Sequence, residues 1–175
     1  QNGLMQEYAC AKRHWEHTDA AYKTPGNSGL AVWCMYDYNT FHGASKEIAR
    51  HGVLDLLRIP KVSYYWHLSE LGPAPFTHGI PINETKAVVF SNADQVRLLE
   101  KKDGKYVERE VRKPDEGYKL NHPPYHFEVS QGSSSYKAEG LVDGKVVSSH
   151  EFHRAGEPVK LELVSDNKTI TADDS

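Results

Sequence analysis

Gly29-Leu30-Ala31-Val32-Trp33-Cys34-Met35-Tyr36-Asp37-Tyr38-Asn39-Thr40 runs without a break from a buried-strand pattern into a polar, aromatic tip. Leu30, Ala31 and Val32 form the short apolar run of a parallel strand covered on both faces, and Trp33, Asp37, Tyr38 and Asn39 follow at its carboxyl end. In a barrel, that end is where strands present side chains to an active site. The set suits a sugar: the apolar face of a pyranose packs on an indole, while carboxylate and amide groups exchange hydrogen bonds with its hydroxyls. An ordinary core strand with a buried Trp fits the same residues, and this segment alone leaves both readings open.

Upstream, Leu4, Tyr8, Ala11, Trp15, Thr18 and Tyr22 recur at three- and four-residue spacing and predict an amphipathic helix over residues 3–22. Thr24-Pro25-Gly26-Asn27-Ser28 ends it and turns the chain into the strand at 29–36. Downstream, residues 37–45 read as a polar loop and 46–70 as one or two helices broken near Pro60. One helix, one central strand and a closing helix leave a strand with two unpaired edges, which is no domain by itself. They predict the last part of an α/β barrel whose other strands lie upstream.

The composition changes at Leu71-Gly72-Pro73-Ala74-Pro75-Phe76, and residues 73–84 read as a linker. Beyond it the period becomes that of strands. The candidates are Lys86–Asn92, Gln95–Lys101, Tyr106–Val111, His126–Ser130, Tyr136–Val142, Lys145–Phe152 and Val159–Val164. Asp103-Gly104 and Asp143-Gly144 are hairpin signals between pairs of them. So many short strands over residues 85–165 predict a β-sandwich.

A net charge of −3 and a pI near 6.4 over 175 residues give no electrostatic footprint for nucleic acid or anionic membrane. No apolar run approaches the roughly 20 residues that cross a bilayer. The first residues lack the charged and apolar regions of a signal peptide, an absence that carries little weight for an internal piece. Cys10 and Cys34 make neither a disulfide framework nor a zinc site and are expected as buried thiols. His14 and His17 share a helix face, but no third ligand has a recognisable spacing, so a surface pair is expected and no metal. His150 and His153, at odd spacing, are expected on opposite faces of a strand.

His51-Gly52-Val53-Leu54-Asp55-Leu56-Leu57-Arg58-Ile59-Pro60-Lys61-Val62-Ser63-Tyr64-Tyr65-Trp66 resembles the segment that closes the (β/α)8 barrel in glycoside hydrolase family 2, the β-galactosidase and β-glucuronidase group. Ahead of it stands the family's Gly-(apolar)-Trp-(x)3-Asp pattern, here ending in Trp33 and Asp37. After it, Ala87-Val88-Val89-Phe90-Ser91-Asn92-Ala93-Asp94 resembles the opening of the family's immunoglobulin-like sandwich. The resemblance implies an α/β plus all-β chain: residues 1–72 the end of a TIM (β/α)8 barrel, 85–165 an immunoglobulin-like β-sandwich, and 166–175 the start of a linker to a further domain.

It also implies a retaining β-glycosidase, most simply a β-galactosidase. Such enzymes need two carboxyl groups about 5–5.5 Å apart. The family's acid/base lies on a barrel strand not present here. Its nucleophile sits in a Glu-Tyr-Gly-like motif, to which Glu7-Tyr8-Ala9 comes nearest, although Glu7 also falls inside the helical pattern as a solvated residue. Trp33 matches the family's indole beneath the sugar; Asp37, Tyr38 and Asn39 are expected around it, with Asp37 also readable as a brace for the loop and His42 at the rim. His51 stands where some β-galactosidases carry an Asn that helps bind sodium. Tyr64, Tyr65 and Trp66 are expected to pack the barrel wall, with one of them in reach of the next domain. No cofactor is expected. The expected partners are a β-galactoside and the remainder of the parent enzyme, with a homo-oligomer left open and a periplasmic or secreted location favoured. A non-catalytic carbohydrate-binding or adhesion module is the competing reading.

Overall fold

A computed structural model describes residues 2–42, 45–132, 134–156, 160, 162 and 164. The elements are α1 (Asn2–Lys23), β1 (Tyr38–His42), β2 (Ser45–Ala49), α2 (Val62–Leu71), β3 (Thr77–Pro81), β4 (Lys86–Ser91), β5 (Gln95–Lys102), β6 (Lys105–Arg112), β7 (Tyr125–Glu128), β8 (Ser135–Val142) and β9 (Lys145–His153). The expected strand at Val159–Val164 lies for the most part outside the described residues, as do 166–175.

The sandwich forms as the alternation predicts. A three-stranded sheet, β3-β4-β7, faces a four-stranded one, β6-β5-β8-β9, with every pair antiparallel. Both Asp-Gly signals make hairpins: Asp103 and Gly104 have φ of 49° and 77°, and Asp143 and Gly144 have 50° and 73°. Positive φ at both central residues is the turn whose twist matches the flanking strands. Ala87, Val89, Val96, Leu98, Tyr125, Phe127, Tyr136, Ala138 and Phe152 fill the space between the sheets.

The outer face of the three-stranded sheet is covered as well. Ala11 and Trp15 of α1 and Val62 and Trp66 of α2 share a second core with Ile80, Ile82, Val88, Phe90 and Leu120. Strand β4 therefore sends Ala87 and Val89 one way and Val88 and Phe90 the other, so Ala-Val-Val-Phe is apolar throughout. Two buried carboxylates fasten the helices to the loop between β6 and β7. Asp19 accepts from the Lys119 amide at 2.6 Å, and Glu70 accepts from the amides of Asn121 and His122 at 2.9 Å each. Burial pushes the Asp19 carboxyl up, but Lys23 and the Lys119 amide outweigh it and hold it below its ordinary range.

Four sequence expectations are corrected. Residues 29–36 form no strand: the run bends at Trp33 and Met35 and, apart from a parallel bridge from Tyr36 to Leu54, has no ladder partner among the described residues. Leu30, Val32 and Met35 are consequently exposed rather than buried, because no neighbouring strand among the described residues supplies backbone partners and apolar cover. Residues 37–49 are not a loop and the start of a helix but the antiparallel hairpin β1–β2, with Tyr38 opposite Ala49 and Phe41 opposite Lys46. The helix downstream starts only at Val62 because Asp55 Oδ1 accepts from the amides of Leu57 and Ile59 at 2.8 Å each, and Arg58 adopts a φ of 69°. Such local side-chain bonds compete with the helix. Finally, β3 lies inside the expected linker at 73–84.

Candidate active site

The end of the run at 29–36 is held by the segment that returns past it. Cys34 and Met35 carbonyls accept from the amides of Val53 and Leu54 at 3.1 and 2.9 Å, and Asp37 N–H donates to the Leu54 carbonyl at 2.9 Å. Gly52 is needed at the crossing. A Cβ there would lie 2.2 Å from the Asp37 nitrogen and 2.4 Å from the Leu54 oxygen, closer than atoms pack.

Trp33 projects from this crossing into solvent, 75% exposed. Its Nε1–H donates to the Tyr38 hydroxyl at 3.2 Å, and the two rings meet edge to face with centroids 6.3 Å apart. Tyr38 opens β1, and Asn39 beside it is exposed on the same hairpin. Of the four expected binding residues, Trp33 and Tyr38 share one open patch, while Asn39, next to Tyr38 on β1, is exposed on the other face of the hairpin. Asp37 is different: it is 8% exposed, and its carboxylate accepts from Lys61 Nζ at 3.0 and 3.2 Å and from the Gly52 amide at 2.8 Å. This is the brace geometry, with both oxygens occupied.

Glu7 does lie within α1, but it is not an idle surface group. Its Oε2 accepts from the Val62 amide at 3.2 Å, at the start of α2, where Lys61 supplies no side-chain cap. An unpaired amide at a helix start is a natural partner for a carboxylate. Between the start of α1 and the β1–β2 hairpin lies a cleft of about 370 Å³ that Glu7, Cys10, Asp37, Arg50 and Lys61 help to line. On the other side of the run a cleft of about 290 Å³ is lined in part by Arg13, His14, His17, Trp33 and His51. A third, of about 430 Å³, is lined mainly by apolar groups such as Val32, Met35, Tyr64 and Leu68. Open space therefore flanks the run from Leu30 to Asp37.

Sequence reasoning missed several local partnerships. His14 is no surface pair with His17: its Nδ1 lies 3.0 Å from His67 Nε2 across the two helices, and His17 is exposed. Burial lowers the pKa of His14, and burial with the nearby His14 lowers that of His67 to about 4. Among the described residues no three His, Cys, Asp or Glu side chains are grouped to hold a metal ion. Cys10 and Cys34 are half-buried free thiols rather than buried ones. Arg58 stacks 3.6 Å above the Tyr36 ring, and Tyr65 stacks on His78 of β3 with centroids 3.6 Å apart. Both Tyr65 and Trp66 thus reach the sandwich, Trp66 through the core it shares with Val88 and Phe90, where one such aromatic was expected. His150 accepts from the Gly79 amide at 3.1 Å while His153 is exposed, on the opposite faces that their spacing predicted. Lys61 had a visible signal, since it follows the proline that bars the helix from starting earlier; nothing in the sequence announced that Asp37 was its partner.

No protein-family model matches the chain. A β-galactosidase of Thermoanaerobacter pseudethanolicus is 33% identical over 93% of this chain and 25% of its own length. A second, from Thermoanaerobacterium thermosulfurigenes, is 25% identical over 91% of this chain and 26% of its own length. A solved β-glucuronidase from glycoside hydrolase family 2 superposes on 87% of this chain with a TM-score of 0.60 at 24% identity, using 16% of its length. The chain belongs to glycoside hydrolase family 2. This family 2 chain spans about a quarter of the length of the curated relatives it matches. Agreement in fold with the β-glucuronidase extends over most of the chain.

Proposed function

We propose that this family 2 chain is the closing segment of the (β/α)8 barrel of a retaining β-glycosidase, followed by an immunoglobulin-like sandwich, and that Trp33 is its sugar platform. The observation that carries this is the indole of Trp33, 75% exposed after the apolar run Leu30-Ala31-Val32 and held edge-on by Tyr38. Such a face packs on the apolar side of a pyranose and attracts the positive charge that develops as the glycosidic bond opens. Tyr38 offers a hydroxyl to sugar oxygens beside it.

The barrel reading is supported by the apolar run between α1 and the β1–β2 hairpin, by the parallel bridge at Tyr36, and by open clefts lined by Leu30, Val32 and Met35 of that run. The immunoglobulin-like reading is supported by the three-plus-four strand order and by the Tyr136 hydroxyl, which donates from the start of β8 to the Ser130 carbonyl in the preceding loop at 3.4 Å. Glu7 is a helix cap on this reading, and the acid/base and nucleophile come from the rest of the longer enzyme. A β-galactoside is the proposed substrate because the curated relatives at 33% and 25% identity are β-galactosidases.

The test compares the 175-residue chain with the longer enzyme that contains it on nitrophenyl β-galactoside, β-glucuronide and β-mannoside. The longer enzyme is expected to prefer the galactoside and to lose about 10²-fold in kcat/KM with Trp33→Ala, the scale set by misplacing a bound reactant. The 175-residue chain is expected to be inert. Turnover by that chain alone, or a longer enzyme inert on all three sugars, overturns the reading. Glycan binding by an otherwise inert protein would favour a non-catalytic binding module.

A further inference from the structure

Lys61 is the point where three stretches of chain meet. Its Nζ donates to both carboxylate oxygens of Asp37 at 3.0 and 3.2 Å, and to the Arg50 carbonyl at 3.1 Å. Asp37 immediately precedes β1, Arg50 follows β2, and Lys61 itself immediately precedes α2. The residue after Asp37 is Tyr38, whose hydroxyl holds the Trp33 indole. We propose that Lys61 is a positioning residue for the Trp33 platform, acting through Asp37 and Tyr38. This rests on the platform reading above.

The physical reason is the burial of the pair. Both residues are 8% exposed. A carboxylate left in such a place without its cation pays a desolvation cost that its remaining amide bond does not offset. Without Lys61, Asp37 must turn toward water to regain partners for its oxygens, and that movement carries Tyr38, one peptide away. The aromatic pair Trp33–Tyr38 is exposed and has no packed layer above it to resist that movement. Arginine keeps the charge and can still reach both oxygens, whereas methionine keeps the length and apolar stem without the charge.

The chain holds three tryptophans, and Trp15 and Trp66 are fully buried between the helices and the sheet. Labelling with 5-fluorotryptophan therefore gives the platform and the core separate fluorine signals, assigned with Trp33→Phe. Lys61→Met is expected to shift or broaden the Trp33 signal, leave the Trp15 and Trp66 signals in place, and lower kcat/KM of the longer enzyme by about 10²-fold. Lys61→Arg is expected to recover most of both. An unmoved Trp33 signal, or three signals moving together, overturns the proposal, the latter because Lys61 would then be a general support of the fold. If Lys61→Met does not fold, Tyr38→Phe decides: it cuts the bond to Trp33 without touching the buried pair, and an unchanged Trp33 signal refutes the relay. A longer enzyme inert on every glycoside would sink the substrate reading while leaving the fluorine result to judge Lys61.

Discussion

A methyl group on Gly52 would collide with backbone rather than with a side-chain tip, so the two strands of chain crossing there would have to separate. Gly52→Ala is expected to lower stability by about 1–3 kcal/mol or more in a denaturant titration and to move the Trp33 signal with it. Glu7→Gln tests a different point. As a helix cap, Glu7 contributes about 0.5–2 kcal/mol, part of which a glutamine oxygen retains. The longer enzyme carrying Glu7→Gln should keep its rate within a few-fold, and a loss of about 10⁴-fold or more would mark Glu7 as the nucleophile instead. At this scale the sequence was legible where residue type dictates role. Trp33 was singled out by its residue type, although the strand expected to carry it does not form; the engagement of Asp37 with Lys61 was missed, because a contact across 24 positions leaves no local trace.

The second scale is that of β4. With Val88 and Phe90 on the helices and Ala87 and Val89 in the sandwich, this strand is the wall common to two cores. Phe90→Ala is expected to cost about 3–5 kcal/mol. Hydrogen exchange should then rise first in α1 and α2, while the amides linking β5 and β8 stay protected; uniform loss of protection would contradict separate cores. Period-two alternation and Asp-Gly turns made β5, β6, β8 and β9 readable. Strand β3 was hidden because its residues sit among prolines and glycines that also mark linkers. The β1–β2 hairpin was hidden because Ile48, Ala49, Val53, Leu54 and Leu57 recur at helical spacing. What overrides that spacing is the Asp55 turn and the Gly52 crossing, neither of which periodicity detects.

Across the whole molecule, acid should be destabilising. Burial, with neighbouring His14, holds His67 at about 4, and burial, with neighbouring His150, holds His78 at about 3. Burial also lowers His14 and His150. In the unfolded chain these rings take up protons below about pH 6.5, while the folded protein keeps them neutral. Stability is therefore full above about pH 6.5, declines as the pH falls, and levels off only near the folded values. At pH 5.5 His67 and His78 should together remove about 3 kcal/mol, by linkage of one unit each. Thermal melts at pH 7.5 and 5.5 read the effect, and His78→Phe should flatten the curve; an unchanged melting temperature would show that these rings are not held neutral.

The shared wall also bears on descent. A gene broken in the Leu71–Pro75 stretch would yield a sandwich with Ile80, Val88 and Phe90 facing water, and helices with Trp15 and Trp66 facing nothing. Neither half could be traded alone between lineages without a compensating change in the other, so recombination should leave this joint intact and place its crossovers elsewhere.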